Sequence, residues 1–209
     1  MPRIEPFERY TKQYEDWFIK NRFIYESELK AIREQLPEAK RGVEIGVGTG
    51  QFGAPLGIEV GIEPSRKMGE IARERGIWVI EAIAENLPLK DSVFDFALMV
   101  TAVCFLDDIK AAFNEIHGIL RDKGAFLIGF IDRDSPLGRL YQKQKEKSVF
   151  YNAATFYSVQ EIIFHLKETG FKEFSFSQTI FSDLKEIKKI ERIEEGYGEG
   201  SFVVIKAIK

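Results

Sequence analysis

The length, composition and charge of the chain exclude several classes of protein. With 209 residues, the chain is long enough for one α/β domain and short for two. No segment approaches the roughly 20 consecutive apolar residues of a membrane-spanning helix, and a net charge of -3 gives no general attraction to polyanions. The first ten residues lack the basic start and apolar run of a secretory signal. We therefore expect a soluble, cytoplasmic protein that binds neither membranes nor nucleic acid.

The first part of the chain predicts a helical cover. Residues 5–36 carry apolar side chains at spacings of three and four, which indicates one or two helices before Pro37. Short apolar runs then alternate with helical patterns at residues 65–75 and 109–120. The runs predict strands at residues 42–45, 59–62, 78–82, 94–100 and 125–131. Strands with little polar alternation in βαβ succession are typical of a parallel sheet covered on both faces.

The last part of the chain changes character. Residues 133–157 are polar and aromatic without clear periodicity, and a helix over residues 158–168 follows, opened by Ser158 and Glu161 as a capping box. Strands at residues 171–181 and 201–207 predict an antiparallel hairpin, with a short amphipathic helix through Ile187, Ile190 and Ile193 between them. The expected fold is α/β and Rossmann-like: a doubly wound, mostly parallel, seven-stranded sheet with an antiparallel C-terminal hairpin and an N-terminal helical cover.

A glycine-rich loop follows the first predicted strand. Gly46, Gly48 and Gly50 allow a tight turn and a close approach of the backbone to a nucleotide-like ligand. Together with Gly53, the last two also satisfy the dinucleotide pattern G-x-G-x-x-G. The glycines alone therefore leave NAD and S-adenosylmethionine open as cofactors.

Two acidic residues flank this loop. Glu44 can organise the loop and receive a positively charged amino acid group, which S-adenosylmethionine has and NAD lacks; the alternative is that it only caps N–H groups of the loop. Glu63 ends the second strand, where its carboxylate can accept both hydroxyls of a ribose. Pro64 ends that strand, and Met68 faces either an adenine or the core.

Four segments in succession resemble the motifs of class I S-adenosylmethionine-dependent methyltransferases, especially the small-molecule group that includes the ubiquinone and menaquinone methylases. They are VEIGVGTGQF, VGIEPSRKM, AIAENLPLKDSVFDFALMV and FNEIHGILRDKGAFLIGF, within residues 43–130. The resemblance implies that Glu44 and the three glycines surround the methionine part and that Glu63 holds the ribose. It places Ala84 and Glu85 beside the adenine and Thr101 at the mouth of the site. Ile83 departs from the pattern, since many relatives have an aspartate there that binds adenine.

The acceptor of the methyl group is expected beyond the carboxyl ends of the strands. Asp132, directly after the fifth strand, is a candidate general base or amine-binding group, with a turn cap as the alternative. The aromatic side chains of the N-terminal helices form either a lid or the cover of a sheet edge. The candidate acceptor-site residues are Tyr14, Trp17, Phe18, Phe105, Arg133 and Tyr151.

The expected function is methyl transfer from S-adenosylmethionine to a small-molecule acceptor, with S-adenosylhomocysteine as the product. A sulfonium methyl group needs no metal, and we expect no metal site, because His117 and His165 stand singly in helical patterns. Two alternatives stay open: an NAD-dependent oxidoreductase and a catalytically inert module that binds S-adenosylmethionine. We expect a single domain over residues 1–209, divided into the cover (1–40), a cofactor-binding half (41–132) and an acceptor half with the hairpin (133–209). The chain is expected to act as a monomer or a homodimer.

Overall fold

The computed structural model of the chain describes residues 4–38 and 41–209. The helices of this part are α1 (Glu5–Arg9), α2 (Thr11–Lys20), α3 (Arg22–Gln35), α4 (Arg66–Glu74), α5 (Ile109–Ile119), α6 (Pro136–Gln144) and α7 (Val159–Glu168). The strands are β1 (Gly42–Ile45), β2 (Val60–Ile62), β3 (Trp78–Ile80), β4 (Phe94–Val100), β5 (Leu120–Ile131), β6 (Lys172–Thr179), β7 (Glu194–Glu195) and β8 (Phe202–Ile208). Within these residues, no helix is long and apolar enough to cross a membrane.

These strands form one sheet in the order β3-β2-β1-β4-β5-β8-β6-β7. The first five strands are mutually parallel, and β8 runs antiparallel to both β5 and β6. The predicted α/β architecture and C-terminal hairpin are thereby confirmed. The sheet has eight strands rather than seven, because the short β7 pairs with the free edge of β6.

Both faces of the sheet are covered, as predicted from strands in which apolar and polar residues do not alternate. Successive residues of β4 belong to two different core clusters, because side chains of a strand point alternately to its two faces. On one face α5 and α7 pack against the sheet, with Phe113 and Phe126 fully buried at a centroid distance of 5.3 Å. On the other face α2 and α3 pack against Leu98 and Leu127. The N-terminal helical cover therefore contributes one half of the core.

The N-terminal segment contains three helices rather than the predicted one or two. The backbone leaves the helical region at Tyr10 (φ -118°) and at Asn21 (φ -114°), which separates α1, α2 and α3. Apolar spacing is preserved across such short breaks, so the sequence pattern does not reveal them. The breaks let the cover change direction twice above the sheet.

The prediction of a short amphipathic helix through residues 187–193 is wrong. The segment is irregular, and side chains hold its backbone to neighbouring elements. The N–H of Glu191 donates to Ser27 Oγ of α3 at 2.9 Å, and the Glu191 carboxylate accepts from the N–H of Phe181 at 2.6 Å. Ile187 is buried in the core, whereas Ile190 is exposed. The isoleucine spacing therefore reflects single anchoring contacts and not a helical face.

A helix that the periodicity did not predict, α6, lies within residues 133–157. Ser135 caps it by accepting from the N–H of Gly138 at 3.0 Å, and Pro136 occupies its first turn. The helix is short, and Leu137 is its main buried apolar side chain, which explains the weak periodicity. α6 brings Tyr141 to the end of the sheet where the parallel strands finish.

Candidate active site

A cavity of about 450 Å³ opens at the carboxyl ends of the parallel strands. Gly46 follows β1, Glu63 follows β2 and Thr101 follows β4, and all three line the cavity. The volume lies within the range of sites for small ligands. In an open α/β sheet this edge is where ligands bind.

The glycine loop forms one wall of this cavity with its backbone. Gly46 and Gly48 line the wall, and both have positive φ, at +73° and +54°. A Cβ atom on Gly48 would lie 3.3 Å from the hydroxyl of Tyr14, so a side chain would fill the space beside the loop. Gly50 lies outside the cavity, where a Cβ atom would approach Ile77 to 2.9 Å. The first two glycines therefore shape the ligand side of the loop, and the third serves packing.

Glu63 ties the glycine loop to the start of α4. Its Oε2 accepts from the N–H of Gly48 and its Oε1 from the N–H of Ser65, each at 2.8 Å. Burial raises the pKa of Glu63 to about 7, and these two N–H groups oppose the shift. Each carboxylate oxygen keeps a second acceptor position. Pro64 and Met68 complete this wall of the cavity.

Glu44 lies behind the glycine loop, fully buried and outside the cavity lining. Among the residues that the structure describes, its Oε2 has no hydrogen-bond partner, and a Cβ atom on Gly53 would lie 2.5 Å from it. Burial raises the pKa of Glu44 well above its ordinary value, while the N–H of Gly53 opposes that shift. The need for glycine at position 53 is therefore explained by contact with this carboxyl group. The position favours a role in holding the loop, and contact with a ligand stays a prediction.

Aromatic side chains from three segments close the cavity. The ring of Phe7 in α1 lies 5.1 Å from that of Phe105 and 5.4 Å from that of Phe150. Tyr141 and Tyr151 stack at 5.1 Å on the same side. The N-terminal helices thus meet the α6 segment, which is residues 136–157 and contains α6, above the strand ends.

A polar contact fastens α1 in this closed arrangement. The carboxylate of Glu8 accepts from the hydroxyl of Ser65 at 2.7 Å and from the N–H of Lys67 at 3.2 Å. Burial tends to raise the pKa of Glu8, but the hydrogen bonds from Ser65 and Lys67 outweigh it, and the pKa is lowered. The start of α4 therefore holds both Glu63 and the N-terminal cover.

Comparisons with known proteins decide the family. Residues 43–128 match the family described as a methyltransferase domain. The crystal structure of an S-adenosylmethionine-dependent methyltransferase of Thermotoga maritima, described as a possible histamine N-methyltransferase, is 53% identical and covers 99% of each chain with a TM-score of 0.97. The chain belongs to the S-adenosylmethionine-dependent methyltransferases.

Two further proteins extend this comparison of the methyltransferase. An uncharacterised protein of Methanocaldococcus jannaschii is 46% identical over 97% of this chain and 98% of its own length. The crystal structure of an S-adenosylmethionine-dependent methyltransferase of Archaeoglobus fulgidus shares the fold, with a TM-score of 0.68 at 17% identity over 94% of this chain and 99% of its own. The cofactor left open by the glycine loop is S-adenosylmethionine, and the protein is an enzyme rather than an inert module.

Most of the predicted site residues of this methyltransferase meet in the cavity. The lining contains Gly46, Gly48, Glu63, Pro64, Met68, Ala84, Glu85, Thr101, Tyr14, Trp17, Phe18, Phe105 and Tyr151. Glu44, Gly50, Asp132 and Arg133 do not line it.

Asp132 and Arg133 are engaged in the turn after β5. The Oδ1 of Asp132 accepts from the N–H of Asp134 at 3.2 Å, and burial raises the pKa of Asp132. The guanidinium of Arg133 donates to Glu161 at 2.7 Å at the start of α7. The geometry favours the turn-cap alternative for Asp132. Its role as a base stays a prediction.

The region where the family resemblance places the adenine is lined by Ala82, Ile83 and Ala84. Oε1 of Glu85 accepts from the N–H of Asp107 at 2.8 Å, which fixes the loop before α5. Ile83 offers an apolar surface and no acceptor for an adenine amino group. That the adenine amino group is recognised by backbone groups or by another side chain stays a prediction.

The sequence analysis missed lining residues outside the family motifs, namely Phe7, Glu28, Tyr141 and Phe150. A signal for Glu28 was present. It stands four residues from both Ile24 and Ile32, which is the buried face of α3, and an acid on such a face is unusual. Tyr141 and Phe150 lie in the stretch without periodicity and gave no comparable signal.

Proposed function

We propose that this methyltransferase acts on a small-molecule acceptor, which binds beside the cofactor in the enclosed cavity and reacts without a metal. One observation carries the proposal. Most of the residues that the family assigns to the cofactor line the same cavity as the aromatic side chains of the cover, and α1 is fastened across it. A partly covered cavity of this size favours a small acceptor over a chain of nucleic acid or protein.

The residues of the strand ends fit the cofactor. We propose that Glu63 accepts the ribose hydroxyls, for which its oxygens keep free acceptor positions. The backbone of Gly46 and Gly48 borders the space for the methionine part, and Met68 and Ala84 border the space for the adenine. The carboxyl group of Glu44 holds the loop from behind through the N–H of Gly53.

For this reaction the protein has mainly to align the cofactor with the acceptor and to exclude water. When bound, the cofactor would supply an activated methyl group for transfer to a lone pair of the acceptor, with sulfur keeping the electrons of the broken bond, and Glu63 and the backbone of Gly46 and Gly48 would hold it. No metal is included because the sulfonium already activates the methyl group. The rings of Tyr14, Phe105 and Phe150 exclude water and offer faces to a cationic centre. Holding the two reactants in alignment corresponds to an effective molarity of about 10⁵ M or more.

Two measurements test the proposal. At about one hundred times its Kd, S-adenosylhomocysteine should stabilise the protein by about 2.7 kcal/mol, and NAD should not stabilise it. A methyl-release assay should then find turnover with members of a panel of amines, phenols and quinols. Histamine belongs in the panel because of the description of the T. maritima protein. Turnover on nucleic acid or protein but on no small molecule would overturn the proposal.

A matched pair of variants tests the assignment of Glu63. Glu63→Gln should weaken binding of S-adenosylhomocysteine at least about tenfold, because it exchanges a charged acceptor for a neutral one. Glu59→Gln is the control, since Glu59 is an exposed acid just before β2. Equal affinities of the two variants would contradict the assignment.

A further inference from the structure

Glu28 is a buried acid that the cofactor chemistry does not use. It lies on α3, is only 5% exposed and lines the cavity. Its carboxyl group has no hydrogen-bond or ion-pair partner within residues 4–38 and 41–209. Burial raises the pKa of Glu28 to about 8. A carboxyl group left in this condition is costly to the fold unless a ligand supplies the missing donor.

The surroundings of Glu28 define a chamber with aromatic and aliphatic walls. Ile24, Phe18 and Leu137 line the cavity with it. Tyr141 lines the same cavity, where burial raises its pKa to about 12 and the charge of Glu28 adds to this shift. The same charge is among those that add to the raised pKa of Tyr151. Glu28 therefore faces the acceptor side of the cavity, among tyrosine and phenylalanine rings.

The other acids of the lining differ from Glu28. Both oxygens of Glu63 accept backbone N–H groups, Glu85 accepts from the N–H groups before α5, and Asp107 is also engaged by a neighbouring group. Among the described lining residues, Lys147 is the only one with a positive charge, and it is exposed. The chamber thus has an unpartnered acid and no buried cation to balance it.

We propose that Glu28 is the anchor of the acceptor, and that the acceptor carries a protonated basic nitrogen that donates to this carboxylate. The proposal rests on the proposed small-molecule function and adds the chemical class of the acceptor. An ammonium or amidinium group satisfies the acid and places its charge against aromatic faces. A carboxylate or phosphate acceptor would repel the ionised acid, and a neutral phenol would bring no positive charge to stabilise the ionised form of Glu28.

Binding measurements on the intact chain, saturated with S-adenosylhomocysteine, test this proposal. Three probes share one ring and chain length and differ in charge: phenethylamine, phenethyl alcohol and hydrocinnamate. Calorimetry should show at least about tenfold tighter binding of the amine than of the alcohol, as expected for a charge-assisted contact, and no binding of hydrocinnamate. Failure of the amine to bind the wild type, or a preference for hydrocinnamate, would overturn the proposal.

Variants separate anchoring from a structural role. Glu28→Gln should lose the preference for the amine over the alcohol while its affinity for S-adenosylhomocysteine stays unchanged, which also shows that it is folded. Glu28→Asp should retain part of the preference, and Glu34→Gln, an exposed change on the same helix, should retain all of it. A Glu28→Gln variant that keeps the full preference for the amine over the alcohol would refute this inference but not the proposed function. Absence of methyl transfer to any small molecule would instead sink the proposed function.

Discussion

Replacing Glu28 by glutamine should make the stability of the free protein less sensitive to pH. A carboxyl group whose pKa is higher in the folded than in the unfolded state binds protons more tightly when folded. Its contribution therefore favours folding at low pH and is lost as the pH rises. For Glu28 the window runs from its ordinary pKa of 4.5 to about 8. Glutamine has no such titration, so the variant and the wild type should diverge across this window.

The size of the divergence follows from the two pKa values of Glu28. Well inside the window, each pH unit costs the wild type about 1.4 kcal/mol relative to the variant. Between pH 5 and pH 7 the difference should therefore grow by about 2.5 kcal/mol. The cost of burying the amide of glutamine is independent of pH, so it shifts the whole curve without changing its slope. Tyr14, Tyr141 and Tyr151 also face the cavity, but burial raises their pKa values, so they stay neutral throughout.

Urea unfolding at several pH values between 5 and 8 measures this effect. The quantity to compare is the free energy of unfolding of Glu28→Gln minus that of the wild type, because the titrations of Glu44 and Glu63 cancel in it. Glu34→Gln should give a difference that is independent of pH, since Glu34 is exposed. Parallel curves for Glu28→Gln and the wild type would refute the view that Glu28 is buried without a partner. A bound amine should reduce the divergence, because it stabilises the ionised form.

Three further substitutions have expected outcomes. Gly48→Ala should weaken binding of S-adenosylhomocysteine at least about tenfold in calorimetry, whereas the control Gly57→Ala should leave it unchanged. Both glycines have positive φ, so both substitutions introduce a backbone strain of about 1–2 kcal/mol. Of the two, only Gly48 borders the cavity. Glu8→Gln should speed amide hydrogen exchange in α1, because the contact with Ser65 and Lys67 weakens, while Glu5→Gln should not; equal exchange in both would contradict the fastening role. Asp132→Asn should change kcat by less than about threefold, and a loss of about a hundredfold or more would establish Asp132 as a general base.

The fold was largely predictable because its strands are buried on both faces. Runs such as Phe94–Val100 are apolar apart from Asp95, and helical patterns separate them, so a parallel sheet is the consistent solution. The two-residue β7 was not predictable, since Glu194 and Glu195 join the sheet through backbone bonds alone. The incorrect prediction of a helix at residues 187–193 has the opposite cause. There, side-chain contacts of Glu191 decided the backbone against a spacing that suits a helix.

The cofactor side of the site was predictable for a different reason than the acceptor side. Residues such as Gly46 and Glu63 follow strand ends directly, so the topology of the sheet brings them together whatever the conformation of the later loops. Phe7 and Phe150 meet through the path of the cover and of the α6 segment, which short-range patterns do not specify. Glu28 was an exception, because an acid on an apolar helical face is visible in the sequence alone.

This division of the site has a consequence for specificity. The groups at the strand ends are occupied: Glu63 holds two backbone N–H groups and Glu85 fixes the loop before α5. They can serve the common cofactor, but they leave few polar side chains to select an acceptor. The unpartnered acid among the described lining residues, Glu28, comes instead from the helical cover, as do many of the rings around it. Substitutions on α2 and α3 of the cover, and on α6, should therefore change the acceptor while they leave the cofactor site intact. On this view Glu28 and its aromatic neighbours, rather than the glycine loop, determine what this methyltransferase methylates.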